Sequence, residues 1–280
     1  MRVLLSLVVS LGLLAGADAV AGTSDAVPSC YQATGLTAPV VPPEREIFIL
    51  IDQTTLFDDG LKHTAEENVR GFLGPNSAYQ VIVFSAFSQG RYTTVVTKGF
   101  LEAPFPEAER ASVSERKLAE LDHCLQAQEP WAKKHVIESL RRSFSEASPN
   151  LAKSDILAAI RDVAGVISGS PGKRKVLFLV SDMLENSSIT SFYGPGGSVR
   201  RLDPLKEMAR AEKADVLAKL AGSTVDVLGA GVLPPKLSRK ASYRDPQTLA
   251  ALRSFWAQYF EKSGAVLDQF GEPDLLAPIR

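Results

Sequence analysis

The sequence lacks several features that mark common functional classes. Its 31 basic and 32 acidic side chains leave a net charge of −1, so long-range attraction to nucleic acid or to an anionic membrane is not expected. The G-x-S-x-G motif of serine hydrolases is absent. The three histidines, His63, His123 and His135, do not have the spacing of metal ligands. What remains is a globular composition, with 45% hydrophobic and 22% charged residues.

One segment at the start of the chain has a long apolar run. Arg2 is followed by apolar residues from Val3 to Leu14, and then by small residues that fit an A-x-A cleavage signal. This pattern predicts a cleavable signal peptide at 1–21, which is too short to be a membrane span. We therefore expect a secreted or periplasmic protein whose mature chain has no membrane span.

Cysteine is scarce, with two residues in the whole chain, Cys30 and Cys124. An even pair in an oxidising compartment predicts a disulfide bond between them. The alternative is two unpaired thiols, one in a tail and one on a helix.

Strand-like and helical patterns alternate after a tail at 22–45 that is rich in Pro, Ser, Thr and Gly. This alternation predicts an α/β fold, a three-layer, doubly wound and mainly parallel sheet within one domain at 46–280. Strands are predicted at 47–51, 79–87, 91–99, 173–182, 223–232 and 265–270, and helices at 61–73, 154–167, 203–220 and 246–262.

A helical segment at about 107–145 is longer than a crossover between two strands requires. The pattern indicates two helices, interrupted at Pro130, because proline ends or kinks a helix. One interpretation is an amphipathic helix pair that covers the sheet edge. The other is an insert that docks a partner protein and is joined to the tail through Cys30 and Cys124.

Polar residues occur where the first and fourth predicted strands end. Asp52 and Thr54 follow the first strand, Asp182 ends the fourth, and Ser154 begins a helix. Functional groups in parallel sheets gather at the carboxyl ends of strands. Two carboxylates and two hydroxyls are hard oxygen donors that suit Mg²⁺, Mn²⁺ or Ca²⁺. The alternative is structural, with Ser154 as a helix N-cap and the aspartates as turn formers.

These residues resemble the von Willebrand factor A-type (vWA) domain family. Its metal-ion-dependent adhesion site reads D-x-S-x-S after the first strand, with a Thr opening a later helix and an Asp after the fourth strand. This chain has Asp52-x-Thr54-x-Leu56, then Ser154, then Asp182. The resemblance implies a vWA-like fold and a protein or peptide ligand whose acidic group completes the coordination of a divalent cation.

The resemblance covers about residues 46–270 and includes three departures. Leu56 takes the third position of the first motif and cannot ligate a metal, Ser154 replaces Thr, and Met183 stands where Gly is common. These departures predict a weakened site, or one completed by Thr55 or by water.

A glycine-rich segment at 191–201 follows Asp182 in the chain. Gly196 and Gly197, with Arg200 and Arg201, are candidates for binding an anion, but the G-K-[ST] ending of a P-loop is missing. A surface loop beside the Asp182 edge is the simpler interpretation.

We expect a binding protein rather than an enzyme, one that acts in protein–protein interaction or assembly. An exported metal-dependent hydrolase or phosphoryl-transfer enzyme that uses Asp52 and Asp182 is one alternative, although no general base is evident. A structural assembly subunit with an inactive metal site is another, and Leu56 favours it.

Overall fold

The computed structural model describes residues 26–88, 91–148, 154–194, 198–233 and 245–280. The predicted signal peptide at 1–21 and the two loop glycines, Gly196 and Gly197, lie outside these residues. Within them, no helix combines the length and the apolar character needed to cross a membrane.

A six-stranded sheet organises the described residues, in the order β3-β2-β1-β4-β5-β6. All neighbouring pairs are parallel except β2 and β3, so β3 is an antiparallel edge strand. This is a doubly wound order, and it confirms the α/β fold class predicted from the alternation of patterns. The strands are β1 (Arg45–Asp52), β2 (Ser77–Ser88), β3 (Arg91–Leu101), β4 (Arg174–Val180), β5 (Thr224–Leu228) and β6 (Val266–Phe270).

Helices cover both faces of this sheet. Their bounds are α1 (Cys30–Thr34), α2 (Asp59–Phe72), α3 (Glu115–Ser145), α4 (Ile156–Gly169), α5 (Pro204–Lys213) and α6 (Pro246–Lys262), with a 3-10 turn at Glu107–Ser112 before α3.

The central strand β1 shows why the layers form. Its side chains alternate between faces: Phe48 and Leu50 pack with α4, α5 and α6, whereas Ile47, Ile49 and Ile51 pack with α2 and α3. All five are fully buried. A continuous apolar run is what a strand covered on both faces requires.

The predicted interruption at Pro130 is wrong, because α3 runs through that residue without a break. Proline leaves the carbonyl four residues earlier, that of Gln126, without its helical hydrogen bond. Both Pro130 and Gln126 are exposed residues, a position at which solvent can replace the lost hydrogen bond, and the helix continues. The predicted pair is one helix of 31 residues, and its second half packs against the sheet through Ala132, Val136 and Leu140.

Two other predicted elements are shorter than expected. The helix predicted to reach Leu220 ends at Lys213. Two residues later, Asp215 has a positive φ of 54°, which a right-handed helix does not allow. The strand β5 ends at Leu228, and Gly229 follows with φ of 98°.

The disulfide between Cys30 and Cys124 is confirmed, with a Cα–Cα distance of 5.6 Å. It joins α1 to the first half of α3. Cys30 and Tyr31 are buried beside Leu121 and Phe105. Residues 26–36, within the segment predicted as a tail, are therefore packed against the domain.

Candidate functional site

The carboxyl ends of β1 and β4 bring the predicted site residues to one edge of the sheet. The two strands are parallel neighbours in register, so Asp52 at the end of β1 lies beside the segment that follows Val180. Asp182 is the second residue of that segment. The sheet topology alone accounts for this convergence.

Asp52 is the centre of a hydrogen-bond network. Its Oδ1 accepts from the Thr54 amide at 2.8 Å and from Thr54 Oγ1 at 2.6 Å. Its Oδ2 accepts from Ser154 Oγ at 2.9 Å and from Ser181 Oγ at 3.0 Å. Four donors use the acceptor capacity of both carboxylate oxygens. Three segments distant in sequence are thus joined at one carboxylate.

Burial and hydrogen bonding act in opposite directions on Asp52. The side chain is 0% exposed, and this burial raises the pKa of its carboxyl group above the ordinary value. The bonds from Thr54, Ser154 and Ser181 lower the pKa. Burial is the larger effect.

Asp182 is the second acid of the site, and it is 4% exposed. Its Oδ1 accepts from the Leu184 amide at 2.9 Å, and its Oδ2 accepts from the Tyr193 hydroxyl at 3.3 Å. Burial, followed by the charge of Asp52, raises the pKa of Asp182 to about 8. The two carboxyl groups are therefore close enough to repel each other when both are charged.

The structural alternative for Ser154 does not hold. Asp155 is the N-cap of α4, because its Oδ1 accepts from the Ala158 amide at 3.2 Å. The Ser154 hydroxyl is directed to Asp52 instead. Asp52 and Asp182 form turns as the structural alternative predicts, since each accepts an amide bond from the residue two positions later. Their role as metal ligands stays a prediction.

The site has a solvent-facing side formed by Thr54 and Leu56. Thr54 is half-buried, and Leu56 is 38% exposed, so the residue that replaces a hydroxyl presents an apolar side chain to solvent. Thr55 lies between them and is buried. Its Oγ1 makes no hydrogen bond of normal geometry, although it is near enough to Asp182 to lower the pKa of that acid.

A loop after β4 covers the site through Tyr193. Burial and the charges of Asp182 and Asp52 raise the pKa of Tyr193, so its hydroxyl stays protonated and donates to Asp182. Arg200 anchors this loop with a 2.8 Å ion pair to Glu207, which is buried, and with a bond from its Nε to the Ser191 carbonyl at 2.6 Å.

One arginine of the predicted anion-binding loop thus already forms an ion pair with an acid of the same chain. Arg200 is paired with Glu207, while Arg201 is exposed. Gly196 and Gly197 are not among the described residues, so their predicted role stays a prediction.

Met183, at the position where the resemblance favours glycine, has a positive φ of 59°. This conformation is unfavourable for a residue with a large side chain. The Met183 side chain is fully buried, and its carbonyl accepts from Trp256 Nε1 at 2.9 Å. Packing and this bond hold the backbone in the turn that follows Ser181 and Asp182.

The donor set fits a hard divalent cation such as Mg²⁺ or Mn²⁺. Thr54 and Ser154 donate their hydroxyl protons to Asp52, which leaves oxygen lone pairs for a cation. Among the described residues, Asp182 accepts one hydrogen bond of normal geometry on each oxygen, and the nearby Thr55 hydroxyl also lowers its pKa, so acceptor capacity is left on the carboxylate. In the part of the chain that the structure describes, no three His, Cys, Asp or Glu side chains form a metal cluster. Such a site therefore depends on hydroxyls such as the orphaned one of Thr55.

The sequence interpretation missed the roles of Ser181 and Tyr193. Ser181 accepts from the Met183 amide at 3.0 Å while donating to Asp52, and its position directly before Asp182 was the available signal. Tyr193 gave no comparable signal, because a loop residue eleven positions after Asp182 reaches it only through the fold.

No protein-family profile matches the chain, and no curated protein sequence matches it. Among solved structures, it is similar to an aerotolerance-related membrane protein from Bacteroides fragilis NCTC 9343 that carries multiple mutations to serines. The identity is 14%, 81% of this chain and 92% of that chain are covered, and the TM-score is 0.35. It is also similar to the conserved hypothetical protein BatB from Bacteroides thetaiotaomicron, with 14% identity, 82% and 90% coverage, and a TM-score of 0.36.

Proposed function

We propose that the chain is an exported vWA-like binding protein that mediates protein–protein interaction or assembly through the carboxyl edge of its sheet. Asp182, Thr54 and Ser154 hold a divalent cation there, and Asp52 orients the two hydroxyls. When bound, the cation supplies a positive charge that attracts an acidic group of the partner. The observation that supports this proposal is the convergence of both hydroxyls on the Asp52 carboxylate beside Asp182.

Access favours binding over catalysis. Asp52 is fully buried and Asp182 almost so, so neither of these two acids is exposed to act on a substrate as general base. Thr54 is half-buried beside exposed Leu56, so a partner meets a hydroxyl and an apolar side chain at the opening. Leu56 then contributes apolar contact where the vWA motif has a third hydroxyl.

Calorimetric titration of Mg²⁺ and Mn²⁺ into wild type and Asp182→Asn tests the cation. We expect saturable heat in wild type and none in the variant. The matched control is Asp59→Asn, because the Asp59 side chain is 100% exposed and lies outside the site. Negligible heat in wild type as well would support the inactive assembly subunit instead.

A pull-down from periplasmic extract, with and without EDTA, tests the partner. Partners lost with EDTA and in Asp182→Asn, but kept in Asp59→Asn, are the expected result. Partners that remain under all conditions contradict a role for the cation. Mg²⁺-dependent turnover of p-nitrophenyl phosphate that is lost in Asp52→Asn would favour the enzyme.

A further inference from the structure

A cavity of about 280 Å³ lies at the opposite end of the sheet from the proposed cation site. Its walls come from the turn before β2, the end of β3 and the first half of α3. Pro75, Leu101, Pro104 and Leu125 form its apolar part. Ligand pockets usually measure about 300–1,000 Å³, so this cavity matches one long side chain rather than a large cofactor.

Hydrogen bonds of Glu102 and Gln128 to residues 28–30 stabilise the walls of the cavity. Glu102 Oε1 accepts from Ser29 Oγ, and its Oε2 accepts from the Cys30 amide at 2.7 Å and from Gln128 at 3.2 Å. Gln128 also donates to the Pro28 carbonyl at 2.9 Å. Together with the disulfide, these bonds fix the walls before any ligand arrives.

The charge of the cavity is negative. Glu102, Asp122 and Glu129 line it, and no lysine or arginine does so among the described residues. Asp122 is paired with Arg110 at 2.6 Å, and Glu129 with Lys133 at 2.7 Å.

Glu102 differs from these two acids because all the donors that the structure gives it are neutral. The charge of Glu102 also acts on Tyr31. Burial, then Glu102 and then Asp122 raise the pKa of the Tyr31 hydroxyl to about 12. Burial lowers the pKa of Arg45, and the charge of Glu129 raises it by less. The Arg45 guanidinium lies over the Phe72 ring, 5.1 Å from the ring centroid.

The number of acceptor positions left on the Glu102 carboxylate decides which kind of cationic group it can bind. A carboxylate has about four lone-pair positions, and three are used, two on Oε2 and one on Oε1. One remaining position suits an ammonium group, which acts as a single point charge, better than the two-pronged guanidinium of arginine.

The geometry points to a second binding site, one that takes a lysine side chain from an extended segment of a partner protein. The methylene stem lies along Leu101, Leu125 and the prolines, as long cationic side chains do on apolar surfaces. The ammonium group meets Glu102. This site needs no cation and is independent of Asp52 and Asp182.

Fluorescence anisotropy with labelled pentapeptides tests the site on the full chain. The probe is Ala-Leu-Lys-Leu-Ala, and the comparison peptides carry Arg, Nε-acetyl-lysine or Glu at the centre. We expect the acetylated peptide to bind about fivefold more weakly than the lysine peptide, the scale of one exposed ion pair. The arginine peptide should fall between them, and the glutamate peptide should not bind.

Two neighbouring substitutions locate the site. Gln126→Arg places a cation at the cavity mouth and should weaken the lysine peptide about fivefold, whereas Ala127→Arg, at an exposed position that does not line the cavity, should leave binding unchanged. Equal loss in both variants, equal binding of the acetylated peptide, or no binding of the lysine peptide overturns the proposal. Binding that persists with EDTA and in Asp52→Asn separates this site from the proposed cation site.

Discussion

At the carboxyl end of the sheet, Asp52 is held by four hydrogen bonds from the side chains and backbone of Thr54, Ser154 and Ser181. At the amino end, α1 is held by a disulfide and by apolar contacts of Cys30 and Tyr31. The first arrangement depends on the protonation of buried acids, and the second on a covalent bond. The two ends should therefore respond to different changes of solution.

The largest expected effect is at the amino end. Replacing Cys30 and Cys124 together by Ser should lower the free energy of unfolding by about 3 kcal/mol, because the bond closes a loop with a sequence separation of 94 residues. Urea denaturation of oxidised wild type and of the variant measures this difference. Dithiothreitol should bring wild type to the variant's midpoint and leave the variant unchanged. A difference below about 1 kcal/mol would mean that packing alone holds α1.

The next effect is at the carboxyl end. Asp52→Ala should lower the free energy of unfolding by about 2 kcal/mol, because it leaves the buried hydroxyls of Ser154 and Ser181 without their acceptor. Asp59→Ala, at a fully exposed position, is the matched control and should change stability by less than about 0.5 kcal/mol. Equal stability of the two variants would show that the network organises the site without stabilising the fold.

The smallest effect, when taken per pH unit, concerns a buried acid at the carboxyl end. Burial raises the pKa of Glu185 from 4.5 to about 8, so the folded protein keeps a proton that the unfolded chain releases between those values. Stability from this group is complete below about pH 4 and is lost as the pH rises through about 8. Glu185→Gln should reduce the slope of the unfolding free energy against pH by about 1 kcal/mol per pH unit between those values.

Chemical denaturation at several pH values measures how steeply the unfolding free energy changes with pH. Glu107→Gln, at an exposed position, is the control. An unchanged slope in Glu185→Gln would show that Glu185 is charged in the folded protein. Reduction of the disulfide should lower all curves by a similar amount below about pH 8, because Glu185 follows β4 at the carboxyl end of the sheet, away from Cys30 and Cys124.

The fold was predictable from the sequence because each strand carries its own signal. The apolar run of β1 and the acid at its end place Asp52 at the carboxyl edge, and the same reasoning places Asp182 beside it. The pairing of Cys30 with Cys124 followed from their number and the predicted compartment. These are local patterns combined with one topological rule.

The remaining features depend on contacts that no local pattern encodes. Pro130 lies within α3 at an exposed position, as does Gln126, whose carbonyl it leaves without a helical partner, and this exposure is decided by the packed structure. The approach of Tyr193 to Asp182 requires the loop that Arg200 and Glu207 anchor.

The continuous helix α3 reaches both ends of the molecule. Its 31 residues span about 46 Å, with Cys124 in the first half and Phe144 near the end, where Phe144 contacts Phe57 at a ring distance of 6.3 Å. Directly after the helix, the Ser148 amide donates to the Gln53 carbonyl at 2.8 Å, next to Asp52. The part of the helix from Cys124 to Ser145 spans about 32 Å, and Ala132, Val136 and Leu140 pack it against the sheet. The helix therefore acts as a spacer of fixed length between the disulfide and the edge that holds Asp52.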